Sequence, residues 1–240
     1  MGHLVVVRHG QASLMKTDYD ELSEQGRAQA TALGEHLAAS GQCFDVIYTG
    51  PARRHHDTAA LAAEAVRATG LSWPDAQELP ELDEHDAFGL FRAAAGLEDE
   101  PELAAGLQAL SRTRTHAERS RAFQIVFEQL MTRWLSGQLE PEGVETWPRF
   151  RERVLSALRH MVERAAGSPG TRVLAFSSVG PLAVLLQQAL HTDDAASFRT
   201  AWRLRNASIN TFVFDGKGRF TLDGFNALPH LPTSQAWTFR

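Results

Sequence analysis

LVVVRHGQAS, residues 4–13, decides the fold. Four apolar residues, three of them valine, run without alternation into Arg8, His9 and Gly10, and a polar loop follows. An unbroken, β-branched run of this kind suits a strand covered on both faces, as in a parallel sheet. Its end presents a cation and an imidazole together. An unperturbed imidazole, with a pKa of about 6.5, is mostly neutral and nucleophilic near neutral pH. A neighbouring arginine lowers that value further, and its planar fork of donors fits a phosphoryl group. Gly10 lets the backbone approach a ligand closely.

Outward from this strand, residues 14–22 are polar and loop-like, and Ser23 reads as an N-cap. Ala30, Leu33 and Leu37 then mark the buried stripe of a helix that stops near Gly41. Residues 44–48 form a second short strand, broken by Thr49-Gly50-Pro51. Pro51 suits the first position of a further helix, carried by Leu61, Ala62, Ala65 and Val66 to about Gly70. Arg54 lies in its first turn, where a positive helix end makes it a second phosphate clamp. Arg53 reads as a solvated charge. His55 and His56 read as a surface pair, with the option open that one of them faces the site. Residues 73–82 are extended and proline-marked, and 81–86, ELDEHD, form an acidic loop.

Residues 87–147 carry no strand signal. Phe123, Val126, Phe127, Leu130, Met131, Trp134 and Leu135 recur at helical spacing, and the segment reads as a helical insertion, a candidate cap over the site. Arg112, Arg114, Arg119 and Arg121 are either a solvated helix face or contacts to a second anionic group. Pro148 opens another helix, with Phe150, Val154, Leu158, Met161 and Val162 on its buried stripe. A third strand at 172–176 ends in a turn at 177–180, and Pro181 opens an apolar helix through Leu190. Strands at 209–214 and 219–225 are joined by the hairpin turn Asp215-Gly216-Lys217-Gly218. Strand, turn and helix in repetition predict an α/β fold: a three-layer α/β/α sandwich with a mostly parallel central sheet, one domain over 1–240, with a helical insertion at about 87–147. Ligands in such folds bind at the carboxyl ends of the strands.

Composition narrows the function. The chain has 240 residues, 43% hydrophobic and 22% charged, enough for a sizeable core. A net charge of -5 gives no electrostatic reason to expect nucleic-acid or membrane binding. No stretch approaches the roughly 20 apolar residues of a membrane span. The run at 4–7 is too short for a signal peptide and Val6 spoils a myristoylation motif, so a cytoplasmic location is expected. Cys43 is the sole cysteine, which fits a reducing compartment.

Taken together, these motifs resemble the histidine phosphatase superfamily, which includes phosphoglycerate mutases, fructose bisphosphatases and acid phosphatases. LVVVRHGQAS matches the leading signature, and LSEQGRAQATALGEHL (22–37) the segment after it. YTGPARRHHDTA (48–59) puts Arg54 on the phosphate-binding arginine, and ELDEHD puts Glu84 on the proton donor. The resemblance covers the first 86 residues well and 149–230 more loosely. It implies attack by His9 on phosphorus, protonation of the leaving oxygen by Glu84, and hydrolysis of the phosphohistidine by water. Arg8, Arg54, Ser178 and Gln11 would hold the phosphoryl oxygens. No metal or cofactor is implied, and the expected ligand is a small phosphorylated substrate or inorganic phosphate. A homodimer is left open, through any exposed apolar strip of the insertion. Asp83 and Asp86 could raise the pKa of Glu84 by like-charge repulsion, replace it, or belong to a solvated loop.

One departure from the family pattern matters. Where the family has Ser-His-Gly after a late strand, this chain has FSSVGP at 176–181, with Ser178 on the histidine position. In the family that histidine donates a hydrogen bond to the transferring phosphoryl group, and loss of one such donor typically lowers a rate by about 10²–10³. His55, His56, His85 or His230 are candidates to lean in. Ala12 and Met15 stand near positions where the family carries a small hydroxyl residue and an asparagine. The readings are therefore a phosphatase with a modified site, or an inactive phospho-ligand binding protein of the same fold. A phosphoglycerate mutase ranks lower, as does a serine esterase built from Ser178, Asp223 and His230.

Overall fold

A computed structural model describes residues 1–13, 20–94, 101–166 and 170–239. Its centre is a six-stranded sheet in the order β3-β2-β4-β1-β5-β6. The strands are β1 (Gly2–Arg8), β2 (Val46–Thr49), β3 (Ala76–Glu78), β4 (Arg172–Ser177), β5 (Ile209–Phe214) and β6 (Phe220–Ala227). β1, β2, β3 and β4 are mutually parallel, while β5 runs antiparallel to both of its neighbours. The valine-rich run of β1 therefore lies at the centre of the sheet, flanked by β4 and β5. Every residue from Leu4 to Val7 is buried, as its composition demands.

Alternation splits the strand residues between two faces. Val5, Val7, Ile47, Leu174 and Phe176 share a core with Leu33 and Leu37 of α1 (Glu24–Ala39) and with Ala59, Ala62 and Val66 of α2 (Arg53–Arg67). Leu4, Val6, Tyr48, Val173 and Ala175 are buried on the opposite side. There the Tyr48 ring meets His160 of α6 (Trp147–Ala166) edge-on, and α7 (Val179–Leu190) packs against β1. α7 in turn packs on α8 (Asp194–Ala201). Helices on both faces of a mostly parallel sheet make the expected three-layer sandwich.

The chain forms two compact units, 1–84 with 152–240, and 85–151. The second contains α3 (Ala87–Ala94), α4 (Pro101–Ser111) and α5 (His116–Leu135). Thr115 and Glu118 close a capping box at the start of α5. Phe91 stacks on Phe123 with ring centroids 4.6 Å apart, and Val126, Leu130, Met131 and Trp134 are fully or nearly fully buried.

Several boundaries differ from the sequence expectation. α2 starts at Arg53, not Pro51, because Ala52 is extended and occupies the N-cap. α6 and α7 start one and two residues ahead of their prolines, so Pro148 and Pro181 lie inside the first turn, where a missing N–H costs little. Within the extended 73–82 stretch, Ala76–Glu78 pair with β2 as a short edge strand. β6 runs from Phe220 to Ala227, one residue later at its start and two at its end than expected. Most of the loop expected at 14–22, Met15 included, lies outside the described residues.

Candidate active site

Three strand ends build the site. Arg8 pairs with Ser177 across β1 and β4, so His9 and Ser178 follow on adjacent parallel strands about 4.8 Å apart. The His9 N–H donates to the Ser177 carbonyl at 2.9 Å, which carries the register one residue past the strand. On the other side of β4, Thr49 pairs with Phe176, and the chain then turns through Gly50 into α2.

His9 is buried, and its backbone is held from three directions. Its carbonyl accepts from Asn206 Nδ2 at 3.2 Å and from the Ala207 N–H at 3.1 Å. The next N–H, of Gly10, donates to Thr58 Oγ1 at 3.0 Å. Ring Nδ1 lies 2.7 Å from the Gly10 carbonyl. A carbonyl can only accept, so Nδ1 carries the hydrogen and Nε2 keeps its lone pair. Burial first, and then the charges of Arg54 and Arg8, hold the His9 pKa well below 6.5. The arrangement leaves a neutral, oriented ring with its Nε2 lone pair available.

Close backbone packing supports the tip. A side chain on Gly10 would collide with the Gly26 carbonyl, and one on Gly26 with the Gln11 carbonyl. Backbone lies on both sides, so neither clash can be relieved by a rotamer change. Gly26→Ala is expected to lower stability by about 1–3 kcal/mol, the usual range for overpacking, read as a fall in melting temperature.

Arg54 Nη1 pairs with Asp20 Oδ1 at 2.6 Å, and Nη2 donates to Ser178 Oγ at 3.3 Å. Asp20 also accepts from the backbone N–H groups of Arg53, at 2.7 Å, and Arg54, at 3.4 Å. It therefore satisfies the start of α2 that the sequence offered to an anion. Arg8 is buried, and its Nη1 donates to the Leu204 carbonyl at 2.6 Å. Gln11 takes a structural bond: its Oε1 accepts from Ser23 Oγ at 2.9 Å, beside the N-cap of α1. Ser23 Oγ itself accepts from the Gly26 N–H, as the cap reading required.

Glu84 stands at the start of α7, where its carboxylate accepts from the Gly180 N–H at 2.9 and 3.2 Å. Its loop is pinned by Arg153, which donates to the carbonyls of Glu81 and Asp83, and by Ser177 Oγ, which donates to that of Leu82 at 2.7 Å. Asp83 Oδ1 accepts from the Glu84 N–H at 2.8 Å, and burial is the main cause raising the Asp83 pKa. Asp86 caps α3 through the Gly89 N–H and pairs with Arg92.

The four histidines named as candidates have different fates. His55 is fully buried, and its Nε2 lies 2.6 Å from Ser178 Oγ, with its ring 5.7 Å from that of His9. It is thus part of the site and not a surface residue. His56 pairs with Glu78 at 2.9 Å on the surface. His85 stacks on Trp134 and Phe127 in the core of the 85–151 unit. His230 lies against His36, with ring centroids 6.2 Å apart, so the Ser178 hydroxyl is partnered by His55 and not by the His230 of a serine triad. Asp20, Thr58, Arg153, Ser177 and Asn206 are therefore contributors that the sequence did not single out, while His55 is the one of the four candidate histidines that reaches the site. Arg112, Arg114, Arg119 and Arg121 are exposed. Among the described residues, no group of three or more His, Cys, Asp or Glu side chains could hold a metal ion.

Burial lowers the pKa of His55 to about 3 and that of His230 to about 4, from 6.5. Between those values and about 6.5 the unfolded chain binds more protons, so acid favours unfolding. The melting temperature is expected to hold above about pH 6.5 and fall as the pH drops toward 4, each group contributing up to about 1.4 kcal/mol per pH unit. His230→Gln should flatten that slope in a pH series of thermal melts.

Comparison with known proteins gives a consistent picture. The model of the histidine phosphatase superfamily (branch 1) matches residues 4–122 and 90–227. The 2,3-bisphosphoglycerate-dependent phosphoglycerate mutase of Azorhizobium caulinodans is 39% identical over 93 residues, which cover 36% of this chain and 45% of that protein. Its counterpart from Brucella ovis is 37% identical over the same length. The matches thus span less than half of these relatives. Two solved structures share the fold. Phosphoglycerate mutase from Bacillus anthracis superposes with a TM-score of 0.65 at 17% identity, covering 95% of this chain and 94% of that one. A mycobacterial glucosyl-3-phosphoglycerate phosphatase in complex with VO3 gives 0.61 at 24% identity, covering 94% and 99%.

Proposed function

The chain belongs to the histidine phosphatase superfamily, and from that premise we propose that it is a metal-independent phosphatase acting on a small phosphoester through a phosphohistidine on His9. The observation that carries the reading is His9 itself: buried, neutral, fixed in one tautomer by Gly10, and flanked by Arg8, Arg54 and Ser178. Nε2 attacks phosphorus as the bond to the leaving oxygen breaks. Protonated Glu84 gives that oxygen its proton. Glu84 then takes a proton from water as the water oxygen attacks phosphorus and the P–N bond breaks, which releases inorganic phosphate and restores His9. Arg8 and Arg54 supply the positive charge that a metal would otherwise provide. Gln11 would donate from its amide nitrogen, with its amide oxygen engaged by Ser23 Oγ.

Ser178 on the position of the family's second histidine makes this a variant site with reduced turnover. Residues 1–240 form one histidine-phosphatase-like domain in this reading, and the 85–151 unit is its helical insertion. Phe88 and Ile125, each exposed on that unit, are the apolar side chains through which a homodimer would form. The lone exposed Cys43 suits a reducing cytoplasm.

A phosphate-release assay tests the function. Phosphoserine, 3-phosphoglycerate, glucosyl-3-phosphoglycerate and p-nitrophenyl phosphate are offered to the intact chain in the presence of a chelator. Hydrolysis of at least one is expected. Binding of inorganic phosphate with no hydrolysis of any ester would instead identify the non-catalytic member of the same fold. Conversion of 3-phosphoglycerate to its isomer without net phosphate release would identify a mutase.

A further inference from the structure

We infer that His55 and Ser178 together replace the missing second histidine, with His55 Nε2–H donating to Ser178 Oγ and the Ser178 hydroxyl donating onward to a non-bridging oxygen of the phosphoryl group on His9. This rests on the phosphatase reading above and adds a positioning residue to it. Three observations carry it. Ser178 follows the β4 residue that pairs with Arg8, so its side chain stands beside the nucleophile at the strand ends. Its Oγ is fully buried and lies 2.6 Å from His55 Nε2, a short contact between two buried polar side chains far apart in sequence. The same Oγ accepts from Arg54 Nη2 at 3.3 Å.

Valence at Oγ decides the direction. A hydroxyl has two lone pairs and one hydrogen, and the guanidinium can only donate. If Ser178 gave its hydrogen to His55, one lone pair would be left facing an anionic phosphoryl oxygen, which is repulsive. If His55 donates instead, both lone pairs are filled and the hydrogen is free for that oxygen. A bound phosphoryl group therefore selects the tautomer of His55 with the hydrogen on Nε2, and Nδ1, buried against Gly50, makes no hydrogen bond of good geometry that would hold the hydrogen there instead. Such a relay delivers a neutral hydrogen bond polarised by two donors behind it. It moves no net proton: His55 ends the cycle in the state in which it began. Burial and the charge of Arg54 keep His55 neutral, so the device is weaker than an ionised histidine.

Single-turnover and steady-state kinetics with p-nitrophenyl phosphate test the relay. Ser178→Ala is expected to slow the chemical step about 10²-fold, the effect of losing one oxyanion donor. His55→Leu, which keeps bulk but no donor, should slow it about 10-fold or more, with KM changed far less than kcat. The double variant should be no slower than Ser178→Ala alone, because the two residues act through one bond. His55→Gln keeps an N–H near the position of Nε2 and should recover most of the loss. Ser178→His introduced into the His55→Leu background should also recover rate by supplying the donor directly. Multiplying effects in the double variant, or a His55→Leu rate equal to that of the wild type, would overturn the relay while leaving the phosphatase reading intact. A wild-type protein that phosphorylates nothing and hydrolyses nothing would overturn that reading, and the relay with it.

Discussion

His9→Ala is expected to reduce phosphoester hydrolysis about 10⁴-fold or more, to the level that binding and oriented donors supply without a nucleophile. The size of the effect follows from what this one ring does. It is 6% exposed, its Nδ1 hydrogen is committed to Gly10, and its Nε2 lone pair has no competing proton near neutral pH. No neighbour duplicates that role. The His55 ring lies 5.7 Å away but is bonded to Ser178. The fold should survive, since the strand is held by backbone pairing on both sides and by Asn206, Ala207 and Ser177 around residue 9. Initial rates with p-nitrophenyl phosphate, together with an unchanged far-ultraviolet spectrum, check both parts. A variant that retains a tenth of wild-type activity would show that another group does the chemistry.

Arg54→Ala carries the second-largest expected effect, about 10²–10³-fold in kcat/KM. Three contributions are lost together: the proposed donation to the phosphoryl oxygens, the bond to Ser178 Oγ, and the ion pair with Asp20. Arg54→Lys should recover little, because a point charge cannot serve Ser178, Asp20 and a phosphoryl group from one plane. A pH signature accompanies the loss. The charge of Arg54 is the second cause, after burial, that lowers the His9 pKa, so its removal moves that pKa upward. The acid limb of the kcat/KM profile, where protonation silences the nucleophile, should therefore shift to higher pH in Arg54→Ala. Loss of rate with an unmoved acid limb would mean that Arg54 acts on substrate alone.

The sheet was legible because its central strands are buried on both faces and advertise it. Leu4–Val7 and Val173–Phe176 are short apolar runs of the length of a covered strand, and each is followed by a turn. β3 was illegible for the opposite reason: Ala76, Gln77 and Glu78 are all exposed at the edge of the sheet, so no hydrophobic pattern marks them. The proposed nucleophile His9 and the arginines beside it were legible because they stand where a strand ends and where the next helix starts. Their supports were not. Asn206 reaches His9 across 197 positions, Arg153 holds the Glu84 loop across about 70, and Thr58 bonds Gly10 across 48. Such contacts depend on which elements become neighbours, which local pattern does not encode.

His55 shows where the limit lies. A histidine in the first turn of an amphipathic helix reads as solvated, and its immediate neighbour His56 is so, paired with Glu78 on the surface. One residue of helical rotation separates the two fates. The signal that could have singled out His55 is the pairing of two anomalies: an unexplained histidine beside Arg54, and an unexplained serine where a histidine is expected at 178. Each alone is weak, and the 2.6 Å contact joins them.

The most direct test of the account is the fate of the phosphoryl group in the first turnover. The intact chain is mixed rapidly with p-nitrophenyl phosphate, quenched in base, and mapped by mass spectrometry under neutral-to-alkaline conditions that preserve phosphoramidates. The account predicts one phosphoryl group on His9, lost on acid treatment and absent from His9→Ala. An acid-stable phosphoryl group on Ser178, or turnover with no covalent intermediate on His9, would contradict it.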